Sequence, residues 1–399
     1  MNGDDVQVAA PLHLPGERLH GFCVRRVTSL PALRGIAYEL EHESTGASVL
    51  HLHADDSENL FAIAFRTPPP DNTGLPHILE HSVLGGSKKF PVKDPFVEML
   101  KSSMATFINA MTYPDRTVYP VASNVKKDFF NLVDVYCDAV FHPDITPMTL
   151  KQEGHHLEFT ETENPDSPLT VQGIVYNEMK GAYSDVDSLI ERDSTQGLFP
   201  TSPYGLDSGG MPEAIPDLSY DVFVKFHQDY YHPANARIFI YGDLPTAEHL
   251  AFLAPRLETS IARPCVNTAI PREPAWEEPR EGDERFPVGP DESSADKSAI
   301  TLNWIVGDAA DHMAELALEV LEKVLLGNAA APLHKALVDS HIGEDLTGSG
   351  YSSGTLQGTF HVGLKGTAPE RKDELTELVL NTLRSIVHEG LSEEQVLEF

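Results

Sequence analysis

The stretch Leu75-Pro76-His77-Ile78-Leu79-Glu80-His81-Ser82-Val83-Leu84-Gly85-Gly86 carries the punctuation of a short helix. A proline is tolerated in a first helical turn, and the paired glycines end it. On a helix, residues i and i+4 stand one above the other, so His77 and His81 can offer two imidazoles to one metal ion. Glu80 lies at the edge of that face, where it can reach a water without ligating the metal. The order is the reverse of His-Glu-x-x-His, and it points to metal-assisted hydrolysis.

Upstream, Ser48-Val49-Leu50-His51-Leu52-His53 and Leu60-Phe61-Ala62-Ile63-Ala64-Phe65 are β-rich runs joined across residues 55–59, which reads as a hairpin. Downstream, Asp94-Pro95 reads as an N-cap and N1 proline for a helix over 96–103. An extended stretch over 105–122 follows. Asn124 is then expected to cap an amphipathic helix with a stripe of Phe129, Phe130, Val133, Tyr136, Cys137, Val140 and Phe141. Further helices are expected over 171–182, 220–231 and 246–257, with a strand over 237–241.

From 259 to 297 the composition shifts. Residues 273–296 hold nine acids against two arginines, and prolines recur at 264, 271, 274, 279, 287 and 290, so this reads as a linker or exposed loop. Beyond it come a strand over 298–306, a helix over 311–326 striped by Met313, Leu316, Ala317, Val320, Leu321, Val324 and Leu325, a short helix after Pro332, a strand over 358–364 and a helix over 370–389. This order resembles that of residues 60–141 and suggests a duplicated α+β unit. Ser392-Glu393-Glu394-Gln395 has the form of a capping box only two turns before Phe399, which suggests a second unit that is incomplete.

A catalytic zinc normally has three protein ligands and an open position. Spacing alone leaves Glu98, Glu153, Glu158, Glu178, His142, His155 and His156 all eligible as the third. Glu178 has an argument in its favour, because its helix turns Val171, Ile174, Val175, Met179 and Ala182 toward a core and leaves the carboxylate at the border of that stripe. The adjacent His155 and His156 point to different sides and read as structural. Glu153 and Glu158 could orient a ligand histidine, but read more simply as surface acids. His312 and Glu315 repeat the motif's spacing with Leu316 in place of the second histidine. Gly348–Gly354 lacks the ending of a phosphate loop and reads as flexible.

His77-x-x-Glu80-His81 followed by Gly173-Ile174-Val175-Tyr176-Asn177-Glu178-Met179-Lys180-Gly181 resembles the pitrilysin/insulinase family of zinc metallopeptidases (family M16), in the branch of presequence protease and falcilysin. Residues 85–91, 109–117 and 363–367 agree with it. The resemblance implies an α+β fold of pitrilysin-type units, each a mainly antiparallel sheet packed with helices, about one and a half of them present. The expected domains are a catalytic one over 1–260 with the zinc site, a linker over 261–297 and an incomplete second unit over 298–399. It further implies one zinc ion on His77, His81 and Glu178, Glu80 as general base, and Asn109 and Ala110 on a strand that binds peptide by strand addition. Full-length members have four units in two halves, the second supplying an Arg and a Tyr to the reaction, so the missing C-terminal half or a partner half is an expected partner. The activity implied is endopeptidase cleavage of unfolded peptides. A non-catalytic peptide-binding scaffold is the alternative from another class, though such chains usually lose a ligand or the base. A regulatory zinc sensor would have no need of Glu80.

Composition agrees with a folded chain of 399 residues, 41% apolar and 23% charged. The net charge of −32 argues against nucleic acid or an anionic membrane surface as partner and favours basic peptides. The start, Met1-Asn2-Gly3-Asp4-Asp5, lacks the features of a signal peptide, no run is long enough to span a membrane, and the expectation is a cytoplasmic protein. Cys23, Cys137 and Cys265 signal neither a disulfide framework nor a zinc ribbon.

Overall fold

A computed structural model describes residues 12–93, 95–259, 266–286, 288–289 and 296–391. The expected cap at Asp94, the capping box over 392–395, the N-terminal segment, Pro264, Pro287, Pro290 and Cys265 lie outside the described residues. The strands are β1 (Arg18–Leu19), β2 (Phe22–Leu30), β3 (Gly35–His42), β4 (Ser48–Ala54), β5 (Asn59–Arg66), β6 (Phe107–Ile108), β7 (Met111–Thr112), β8 (Arg116–Ser123), β9 (His156–Phe159), β10 (Leu169–Gln172), β11 (Ala236–Gly242), β12 (Ser298–Ile305), β13 (Asp345–Leu346), β14 (Gly350–Ser352) and β15 (Thr359–Thr367). The helices are α1 (Leu75–Val83), α2 (Pro95–Ser102), α3 (Lys126–Phe141), α4 (Pro147–Glu153), α5 (Ile174–Ala182), α6 (Val186–Leu198), α7 (Tyr220–Tyr230), α8 (Thr246–Leu257), α9 (His312–Leu326), α10 (Pro332–Asp339) and α11 (Lys372–Glu389).

The chain forms two compact units, Met1–Met179 with Asp207–Ala269, and Lys180–Leu206 with Ile270–Phe399. These bounds divide the chain differently from the linear scheme of 1–260, 261–297 and 298–399. The first unit is built on a sheet ordered β1-β2-β3-β4-β11-β5-β8-β6, with β7 also on β8. Its pairings are antiparallel except β4 with β11, which is parallel. Alternation drives burial: Phe61, Ile63 and Phe65 of β5 and Ile238 and Ile240 of β11 all face the core, and α3 adds Phe129, Val133, Tyr136 and Val140 to it.

The expected hairpin of residues 48–66 is not formed, because β11 lies between β4 and β5 and pairs with both. Hydrophobic alternation marks a strand but not its neighbours. Helix α3 begins at Lys126 without a side-chain cap, so Asn124 does not serve as one. The expected helix over 171–182 is split: Val171 belongs to β10, paired with β9, and Gly173 separates it from α5. In α5, Val175 is buried and Ile174 is exposed, so the stripe drawn from the sequence was too wide.

The second unit packs α9, α10 and α11 with an antiparallel sheet ordered β12-β15-β13, β14 also pairing with β15. The stripe expected for α9 is largely out of the core: Val324 and Leu325 are buried, but Met313, Leu316, Val320 and Leu321 are exposed. The acidic linker is also corrected in part. Ile270 and Trp276 pack with Phe199 and Tyr204, and Glu273 is buried, accepting from the Thr201 amide at 3.1 Å and hydroxyl at 2.8 Å.

Close backbone approach fixes the turn before α5. A Cβ on Gly173 would land on the Gly154 carbonyl oxygen and lie 3.1 Å from the His155 Cα, with backbone on both sides unable to swing away. Gly173→Ala is therefore expected to destabilise the fold by about 2–3 kcal/mol. Gly181→Ala, inside α5 with open space around it, should instead stabilise by about 0.5–1 kcal/mol. Urea unfolding of the two variants checks the contrast, and equal midpoints would remove the packing argument.

Candidate metal centre

Helix α1 is seated by its flanks. Gly74, its N-cap, has φ 67°, a conformation L side chains rarely adopt, and a Cβ there would also lie 2.7 Å from the Gly210 Cα. That approach carries the 209–210 backbone to the start of α1, where the Gly209 carbonyl lies 3.1 Å from His77 Nδ1. A carbonyl only accepts, so the proton is on Nδ1 and Nε2 offers its lone pair. Leu75, Ile78, Leu79 and Val83 anchor the helix in the core, leaving His77 and His81 on the face toward an open cleft.

The Nε2 atoms of His77 and His81 both lie 3.8 Å from the same oxygen, Oε2 of Glu178 on α5. One ligand atom from each of the three residues falls within 4.8 Å of the others. A tetrahedral zinc with bonds of about 2.0–2.1 Å holds its ligand atoms about 3.4 Å apart, so a small inward adjustment would close the set. Glu178 is more than half exposed, the two histidines much less. Burial alone would lower the His81 pKa. The approach of Glu153 to its Nδ1 and the charges of Glu80, Glu153 and Glu178 outweigh it and raise the value. An imidazole ringed by carboxylates is an environment suited to a cation.

Glu80 is buried, and Thr112 of β7 donates a 2.7 Å bond to its Oε2. Asn109 and Ala110 lie between β6 and β7 at the end of the sheet. Asn109 N donates to Pro120 O, and Tyr136 Oη donates to Asn109 O at 3.0 Å. Both residues line the same cleft of ≈ 1700 Å³ as Glu80 and the three candidate ligands. No other described strand pairs the outer side of β6 and β7.

Of the remaining eligible residues, none joins the cluster. His155 Nε2 donates to Leu218 O at 3.2 Å and His156 Nδ1 to Lys151 O at 2.7 Å, so both are held on backbone. His156 also approaches Glu158 at 3.7 Å. Glu98 pairs with Lys101. His312 is exposed and paired with Glu315 alone among the described residues. Glu153 is not the surface acid expected: it is buried, with Oε2 3.4 Å from His81 Nδ1. The roles of Thr112 and Gly209 had no local signal, since both arise from segments distant in sequence.

Fold and donor set together describe an α+β chain in which two imidazoles and a carboxylate are grouped as the ligands of a candidate metal site. The model for insulinase (peptidase family M16) matches residues 66–181, and that for the peptidase M16 inactive domain matches residues 217–398. The chain belongs to peptidase family M16, in its presequence-protease branch. It is 44% identical over 360 residues to presequence protease 1, chloroplastic/mitochondrial, of Arabidopsis thaliana, covering 89% of this chain and 33% of that one. It is 42% identical to protein HypA of Clostridium perfringens (94% and 38% covered) and 40% identical to presequence protease, mitochondrial, of Danio rerio (96% and 37%). The chain thus spans little more than a third of these relatives. Among solved structures, an M16-like peptidase of Alicyclobacillus acidocaldarius matches with TM-score 0.65 at 16% identity (93% of this chain, 82% of that one), and pitrilysin with 0.59 at 17% (90% and 37%). At such identities the likeness is one of fold.

No helix among the described residues is long and apolar enough to cross a membrane. Cys23 and Cys137 are free and buried, and burial pushes the Cys137 thiol up to about 12.

Proposed function

We propose that the chain is the zinc-holding part of an endopeptidase that cleaves unfolded peptides of the presequence type. The observation that carries this is the shared approach of His77 Nε2 and His81 Nε2 to one oxygen of Glu178. The donor set of two neutral imidazoles and a carboxylate fits zinc. Bound there, zinc polarises the scissile carbonyl and acidifies water. Glu80 takes the proton and passes it to the leaving amine, its carboxylate steadied by Thr112. Asn109 and Ala110 bind the peptide backbone along the open edge of β6 and β7, a mode tolerant of side-chain sequence. Basic peptides are drawn by the net charge of −32. A non-catalytic scaffold would need neither Glu80 nor a complete ligand set.

The test is metal analysis of the purified chain beside His77→Ala. One zinc per wild-type chain and none in the variant is the expected result. Stoichiometric zinc retained by His77→Ala would falsify the ligand assignment.

A further inference from the structure

We propose that Glu153 is the positioning residue of this centre, the carboxylate that holds the His81 imidazole with its proton on Nδ1 and its Nε2 turned to the metal. The inference rests on the zinc reading above. Glu153 ends α4 and is buried, its side chain 12% exposed at the wall of the cleft. A buried carboxylate is costly unless paired and hydrogen-bonded. Its Oε1 accepts from Gln152 Nε2 at 2.8 Å, and its Oε2 faces His81 Nδ1 at 3.4 Å. Among the described residues no lysine or arginine pairs with it, and the ring facing it is that of His81, whose Nδ1–H it can accept.

The two histidines are therefore oriented by different chemistry. His77 leans on a neutral backbone carbonyl, that of Gly209, whereas His81 leans on a full negative charge. An acceptor on Nδ1 fixes the tautomer, and a charged one also makes Nε2 a stronger donor to the metal.

Helix α4 is braced to serve this end. Thr146 and Thr149 form a reciprocal cap at its start. At its end, Gly154 packs so closely that a Cβ there would lie 3.3 Å from Ile78 of α1, while Gly173, next to α5, abuts the Gly154 carbonyl. The residue after Glu153 is thus wedged between the helix carrying His77 and His81 and the one carrying Glu178. Glu153 cannot drift without moving the ligands it serves.

The experiment uses the purified full chain and measures zinc affinity by competition with a chromophoric chelator, beside the ¹⁵N shifts of the His81 ring in the metal-free chain. Glu153→Ala is expected to weaken zinc binding about 10–100-fold and to lose the Nδ1–H preference. Glu153→Gln keeps the volume and an acceptor oxygen, so it should keep the tautomer and lose affinity only a few-fold. Glu158→Gln, on the half-exposed strand β9, should change neither. If Glu153→Ala does not fold, Glu153→Gln and the wild-type ring shifts decide. A folded Glu153→Ala chain with wild-type affinity, or a wild-type His81 proton on Nε2, overturns the proposal. Wild type that binds no zinc refutes the zinc reading instead, and the His81 tautomer still decides the link to Glu153.

Discussion

On the proposed peptidase reading, Glu80→Gln is expected to hold zinc as wild type does and to cleave an unfolded basic peptide about a thousand-fold more slowly. The amide matches the carboxylate in volume and can still accept the 2.7 Å bond from Thr112, so the cleft and the ligands on either side should be undisturbed. What it loses is the capacity to take a proton. Removing a general base costs about 10²–10⁴ in rate, and a thousand-fold loss corresponds to about 4 kcal/mol of barrier. Because Glu80 is not among the three grouped ligands, metal content should stay at one per chain. The measurement is kcat at equal zinc occupancy. A variant as fast as wild type would show that another group accepts the proton.

The first unit is expected to lose stability steeply between pH 6.5 and pH 4. His51 of β4 and His249 of α8 are buried with ring centroids 5.0 Å apart, and His53 lies 5.5 Å from His51. Among the described residues, His51 Nε2, His53 Nδ1 and His249 Nε2 have no hydrogen-bond partner. Burial, followed by the neighbouring histidines His249, His53 and His13, holds His51 well below its ordinary pKa. Burial brings His249 to about 4 against the opposing charge of Glu248, with His53 and Lys126 lowering it further. His227, buried against the Val140 carbonyl, is likewise lowered to about 4.

These folded values lie below the unfolded value of about 6.5, so the unfolded chain gains protons first as pH falls. The penalty is absent above pH 6.5 and complete below about 4, reaching about 3 kcal/mol for each of His227 and His249. In the metal-free chain, His81, whose value is raised, opposes this weakly. Urea midpoints measured from pH 7.5 to pH 4.5 check the slope, and His249→Leu should flatten it. A midpoint constant across that range would mean the buried rings protonate in place.

What the sequence made legible was whatever depends on neighbours along the chain. His77, Glu80 and His81 lie on one helix, as the i, i+4 spacing required, and α8 spans the residues expected of it. Helix α4 also has a local signal, in Thr146-Pro147 with Thr149 as its reciprocal cap. What could not be read was long-range. The acceptor for His77 comes from residue 209 and the carboxylate facing His81 from residue 153, and neither position differs locally from an ordinary loop glycine or helix glutamate. The α9 stripe shows the converse error: apolar period predicted burial, but only its C-terminal turn meets the core.

Strand β11 has a consequence for how the first unit comes into being. Every residue it pairs with on β5 precedes it by more than 170 positions, and the same is true of β4. Until residues 236–242 emerge from the ribosome, the sheet can exist only as two separate sets, β1–β4 and β5–β8. Closing such a distant pairing is slow, because loop entropy is lost before any contact compensates it. Both histidines and Glu178 are thus synthesised well before the strand that completes the sheet beneath them. Assembly of the proposed metal site should accordingly be a late event in refolding, coincident with the arrival of the central strand rather than with formation of the helix that bears the motif.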